Sequence, residues 1–277
     1  MLMIADIPDF IIYTALILFG LTLGSFLNVV IYRIPQNQSI VTPASRCPFC
    51  QTPLKAYDNI PVLSFILLRG KCRYCRAAIS VRYPIVELLT ALLLLALVLR
   101  FGLNFKIIPL MTFVSALVAL SFIDIDVQLL PDRLNFSLIG FGLFGAFIND
   151  LILAYDFWHI SFLDALKGLL VGFFVLIIIY YGFLKLTGKE GMGGGDMKML
   201  AMIGVFLGWE KTLLTLFLGC FFGSLVSIPL LLFLGRDRST KISFGPFLAL
   251  GALFSLFYGD MLIYLYSYHL RNAPAAL

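Results

Sequence analysis

Charged side chains are scarce in this chain. Asp, Glu, Lys and Arg make up 13% of its 277 residues, about half the roughly 25% of an ordinary soluble domain. With 61% hydrophobic residues, the composition excludes a soluble globular protein and places the chain in lipid. Histidine is nearly absent: there are 2, His159 and His269, and both fall on the outer side of the topology derived below, so no imidazole is on hand to activate a serine or cysteine nucleophile. No G-x-G-x-x-G dinucleotide fingerprint is present, and Lys198 does not stand in the G-K-[ST] context that a P-loop requires. The first apolar run also lacks what a secretory signal needs. Asp6 and Asp9 precede it where basic residues would stand, and no small-x-small cleavage site follows before Arg33.

What is present is a series of apolar runs near the about 20 residues that cross a bilayer. They read as Phe10 to Ile31, Pro84 to Leu99, Ile107 to Ile123, Leu134 to Ala154, Ala165 to Leu186, Met199 to Trp209, Thr212 to Leu234 and Phe244 to Tyr266. This predicts an all-α polytopic membrane protein with about eight transmembrane segments. Met199 to Trp209 is too short to cross straight at about 1.5 Å per residue, so a partial or tilted helix is expected there. With the N-terminus outside, the inner segments are Arg33 to Tyr83, Asp124 to Arg133, Lys185 to Lys198 and Gly235 to Ser243. Together they hold 15 of the 20 Lys and Arg residues, the arrangement that the positive-inside rule favours. The net charge of +5 is accounted for by basic loops facing anionic membrane lipid, and no nucleic-acid partner is expected.

Only Arg33 to Tyr83 is long and polar enough to form a separate insert, and it carries four of the five cysteines. They stand as two knuckles, Cys47-Pro-Phe-Cys50 and Cys72-Arg-Tyr-Cys75. Each C-x-x-C turn presents two sulfurs on one side of a tight loop, and two such turns complete a tetrahedral shell of thiolates. The expectation is a structural zinc on Cys47, Cys50, Cys72 and Cys75, which would staple an insert too small to hold itself by its core. Two disulfides are the competing reading, disfavoured by a reducing cytoplasm. Cys220, inside an apolar run, reads as a packed small hydrophobe.

Carboxylates within or at the ends of apolar runs are costly and are candidates for function. One group is Asp124, Asp126 and Asp132, where an inward span ends and the chain turns at Pro131. The other is Asp196, in Gly191-Met-Gly-Gly-Gly-Asp196-Met-Lys198. Asp196 and Asp132 also fit as helix caps. A hydrolase built from these residues would have to be a carboxylate pair, in which one protonated carboxyl donates to the substrate carbonyl and its ionised partner takes a proton from water. Glycines beside Asp196 would let a peptide backbone approach. On a helix Asp124 and Asp126 lie about 200° apart, so only one of them can face a partner.

These residues together resemble the type IV prepilin peptidase family, the leader peptidase/N-methyltransferases among the GxGD-type intramembrane aspartic proteases. The resemblance rests on Gly24-Ser-Phe-Leu-Asn28-Val-Val-Ile-Tyr-Arg-Ile-Pro35, the paired knuckles, Arg82-Tyr-Pro-Ile-Val-Glu87, the Asp124 to Asp132 segment and the glycine string ending at Lys198. It implies a protease that removes the basic leader of prepilins or pseudopilins at the cytoplasmic face of a bacterial inner membrane. It also implies N-methylation of the new terminus with S-adenosylmethionine, because paired knuckles go with the long, bifunctional members. The family's catalytic aspartates map onto Asp196 and onto Asp124, seven residues before Pro131. The organisation expected is a first span over 1–32, a zinc-ribbon-like cytoplasmic insert over 33–83 and a membrane-embedded protease core over 84–277. A transporter with buried carboxylates is the alternative, though no internal repeat of spans is visible. A structural scaffold for a secretion machine is a third reading.

Overall fold

The structure is a computed structural model, and it describes residues 8–151, 160–188, 193–233 and 243–272. His159, Gly191, Met192 and nearly all of the Gly235 to Ser243 loop lie outside the described residues. The helices are α1 (Asp9–Arg33), α2 (Leu63–Leu67), α3 (Arg82–Phe101), α4 (Ile107–Val127), α5 (Asp132–Leu151), α6 (Phe162–Thr187), α7 (Gly194–Phe233) and α8 (Gly245–Asn272), with a short 3-10 turn at Ala56–Asn59. No strand occurs among the described residues. All but α2 are long and apolar enough to cross a membrane, which makes seven candidate spans among the described residues. The chain is a multi-pass membrane protein.

The two runs expected at Met199 to Trp209 and Thr212 to Leu234 join end to end in α7. Their seam is Gly208, whose backbone (φ 78°, ψ 171°) is not helical and lies in a region essentially restricted to glycine. The half before the seam is almost wholly buried, from Met199 to Met202 and again from Val205 to Leu207. It is a short internal helix, and the longer half after the seam has the exposed apolar side chains of a lipid-facing span, among them Phe217, Phe221 and Leu225.

The chain forms two compact units, Met1–Ile123 and Asp124–Leu277. In the first, α1 packs against α3 through glycines one helical turn apart. A Cβ on Gly20 would stand 2.6 Å from Ala91 Cα, and one on Gly24 would stand 2.6 Å from Glu87 Cα, so only small residues permit this approach. Asn28 closes the pair by donating from Nδ2 to the carbonyls of Gly24 (3.3 Å) and Tyr83 (3.1 Å). In the second unit α7 packs against α5, α6 and α8. Gly168 and Gly172 of α6 abut the backbone of Gly204 and Leu200, and Gly251 of α8 abuts Thr215 and Gly219 of α7. Backbone-to-backbone packing of this kind is how helices associate where lipid offers no hydrophobic drive.

Candidate active site

Asp124 stands near the end of α4 and Asp196 is the third residue of α7. Both carboxylates are buried, at 6% and 8% exposure, and they are close enough to act on each other electrostatically. Asp126 is exposed. α4 continues to Val127, so Asp126 belongs to its last turn rather than to the loop beyond, and the helical offset turns it away from its neighbour.

Asp124 is held by the segment that opens α8. Its Oδ2 accepts the Gly245 N–H at 2.9 Å, and its backbone carbonyl accepts the Ser243 hydroxyl at 2.8 Å. A Cβ on Gly245 would stand 2.7 Å from that same Oδ2. Nothing in the sequence singles out Ser243 or Gly245. Ser-Phe-Gly-Pro before an apolar run announces a helix start, but nothing local says that its amide is aimed at a carboxylate more than a hundred positions away.

The glycines before Asp196 divide their roles. Gly195 leaves room for Leu130, whose Cβ would be 2.9 Å from a Cβ placed there, whereas a Cβ on Gly194 would meet nothing within 4 Å. Of the two, Gly194 is therefore the open approach beside Asp196. Asp132 takes no part in the pair of buried carboxylates: its Oδ1 accepts from Lys198 Nζ at 2.6 Å, and that ammonium also lies over the Phe136 ring, 5.6 Å from its centroid.

The four knuckle cysteines converge in the first unit. Their sulfurs all lie within 4.8 Å of one another, and Cys47 and Cys75 Sγ are 3.8 Å apart, the edge of a tetrahedron with metal–sulfur bonds of about 2.3 Å. The knuckles repeat each other's hydrogen bonds. Cys47 N–H donates to Thr52 and Cys72 N–H to Ala77, while Gln51 N–H returns to Cys47 and Arg76 N–H to Cys72. A bridge follows in each, Arg46 with Pro53 and Lys71 with Ala78. Donors point at the sulfurs: the Thr52 hydroxyl, then its amide, bring the Cys50 thiol down to about 6, and the amides of Cys75 and Tyr74 lower that of Cys72. The Cys75 thiol stands up at about 11, its Ala77 amide contact outweighed by burial and by the neighbouring thiols, and the four sulfurs together form a site that can hold a metal ion. Cys220, read as a packed side chain, is exposed on the apolar part of α7.

Residues 18–101 match the family model described as the Bacterial Peptidase A24 N-terminal domain, and residues 111–228 match the Type IV leader peptidase family. The Prepilin leader peptidase/N-methyltransferase of Aeromonas hydrophila is 38% identical over 272 residues, covering 90% of this chain and 91% of the relative. The chain belongs to the type IV leader peptidase family. The protein of the same description from Pseudomonas aeruginosa is 37% identical over 273 residues, covering 89% and 90%. That from Myxococcus xanthus is 44% identical over 221 residues, covering 80% of this chain and 64% of the relative. No solved structure gives a significant match. Membership in a peptidase family leaves the transporter reading without support. The motifs that carried the resemblance do different work. Gly24, Asn28 and Glu87 join α1 to α3, whereas Asp124 and Asp196 form the buried pair.

Proposed function

We propose that the protein cleaves the leader peptide of type IV prepilins or pseudopilins at the cytoplasmic face of the inner membrane, with Asp124 and Asp196 as the catalytic pair. It then methylates the exposed amino terminus. The observation that carries the reading is the pairing of these two buried carboxylates, from separate helices, in a chain of this peptidase family.

Two carboxyls that act as a pair on one substrate share one proton rather than both ionising. The protonated member donates to the scissile carbonyl oxygen while the ionised member removes a proton from the attacking water, giving a tetrahedral intermediate. Collapse of that intermediate breaks the C–N bond, with a proton delivered to the leaving amine. Gly245 fixes the Oδ2 of Asp124, and the open flank of Gly194 admits the extended substrate beside Asp196. The amine so released is the group to be methylated, and S-adenosylmethionine would supply an electrophilic methyl group for it. Cys47, Cys50, Cys72 and Cys75 would hold one structural zinc, which would tie the halves of the insert together and take no part in proteolysis. The organisation into a first span (1–32), a zinc-ribbon-like insert (33–83) and a protease core (84–277) belongs to the same proposal.

The test is incubation of the purified protein with a prepilin bearing a Gly-Phe junction, with and without S-adenosylmethionine, followed by mass spectrometry. Loss of the leader mass in both reactions, with one added methyl group only when the donor is present, is expected. An intact substrate would contradict the proposal.

A further inference from the structure

The insert between α1 and α3 is basic and rich in proline, yet its middle is apolar. Residues 60–68 contain no charged side chain, and Ser64 is their only polar one. Ser64 turns its hydroxyl back to the Ile60 carbonyl at 2.7 Å, so it adds little polarity. Within this stretch α2 places Leu63, Ile66 and Leu67 at i, i+3 and i+4, one face of a helix. That face is bare: the three side chains are 49%, 63% and 72% exposed. Single exposed leucines mean little, but a contiguous apolar face needs an occupant.

The position of α2 identifies that occupant. The backbone N–H of Val62, which opens α2, donates to Glu87 Oε2 at 2.7 Å. Glu87 is not at the end of its span. α3 is 20 residues long, about one bilayer crossing, and Glu87 lies about 7 Å along it from Arg82 at 1.5 Å per residue. The start of α2 is therefore drawn below the end of the α1 and α3 pair, to the depth where Ile85 and Leu88 of α3 are themselves exposed. The charge pattern agrees. Arg69 and Lys71 follow directly after the apolar stretch and are exposed, at the level where anionic headgroups would meet them. The insert's buried acid, Asp58, is already paired with Arg73 at 2.6 Å.

We infer that the Leu63, Ile66 and Leu67 face of α2 lies in the lipid bilayer at the acyl-chain boundary, anchored from within by Glu87 and from the headgroup side by Arg69 and Lys71. The insert is thus a membrane-seated module, with the metal knuckles standing on an interfacial helix. This inference depends on the membrane topology and not on which carboxylates are catalytic.

Tryptophan placed on the face tests it in the full-length protein. Leu67→Trp, and separately Ile66→Trp, is made in a background with Trp158→Phe and Trp209→Phe and reconstituted in vesicles of phosphatidylethanolamine and phosphatidylglycerol. Emission is expected to be lost when the lipid acyl chains are brominated near the headgroup, and to survive iodide in the water. Phe49→Trp, at the tip of the first knuckle where Phe49 is 69% exposed, is expected to show the opposite pattern. Iodide quenching at 66 and 67 without an effect of brominated lipid would overturn the inference by placing α2 in water. Protection from both quenchers would overturn it equally, because protein rather than lipid would then cover the face.

Discussion

Gly245 leaves no space for a methyl group beside Asp124, since a Cβ there would stand 2.7 Å from Oδ2. Gly245→Ala keeps the N–H donor but forces the carboxylate to move, and a displacement of about 1 Å costs on the order of 100-fold in a positioned reaction. A loss of cleavage rate of about that size is expected, with metal content unchanged, as measured by peptide cleavage and metal analysis. Gly182→Ala is the control. A Cβ at Gly182 meets nothing within 4 Å, so the substitution should leave cleavage intact and raise stability by up to about 1 kcal/mol through helix propensity. Helix geometry in the sequence shows that Asp124 and Asp126 cannot share a face, whereas the choice of Asp124 comes from the resemblance, through its spacing to Pro131. Ser243 and Gly245 were not legible, because their partner is distant in the chain and a Ser-x-Gly-Pro helix start has many uses.

The convergence of the four cysteines is legible from the spacing of the knuckles, because each C-x-x-C turn presents two sulfurs on one side of a tight loop. Spacing could not show that each knuckle ends in a left-handed residue, Gln51 at φ 56° and Arg76 at φ 61°. Such a backbone costs a non-glycine residue about 1 kcal/mol. Arg76→Gly is accordingly expected to retain one zinc per chain, with a thermal midpoint no lower than that of the parent protein. Cys72→Ser should lose the metal and lower the stability of the insert, because three thiolates no longer complete the shell. Atomic absorption on protein purified without chelator checks both, and absence of stoichiometric zinc in the parent protein would refute the site. The membrane helices show the same division. Their apolar runs are legible, as is the shortness of Met199 to Trp209, but hydropathy cannot reveal that the break between the two halves of α7 falls at Gly208, since a single glycine with φ 78° looks like any other glycine in an apolar run.

For the whole molecule, the distribution of Lys and Arg predicts that the insert after α1 and the loop before α7 share the cytoplasm. A reporter cysteine in either loop should resist impermeant reagents in intact cells and react once the cells are opened. Labelling from outside would reverse the orientation and with it the proposed side of cleavage. On the proposed function the substrate brings its junction to the end of α7 that Asp196 opens, and the proposal assigns hydrolysis there to two carboxylates and to no third. The most direct measurement is mass spectrometry of a prepilin after incubation with Asp124→Asn, Asp196→Asn and Asp126→Asn variants, since an amide can neither take the proton of water nor share one with its partner. The account predicts an intact leader with the first two variants and a cleaved leader with Asp126→Asn. A cleaved leader with Asp124→Asn beside an intact one with Asp126→Asn would contradict it.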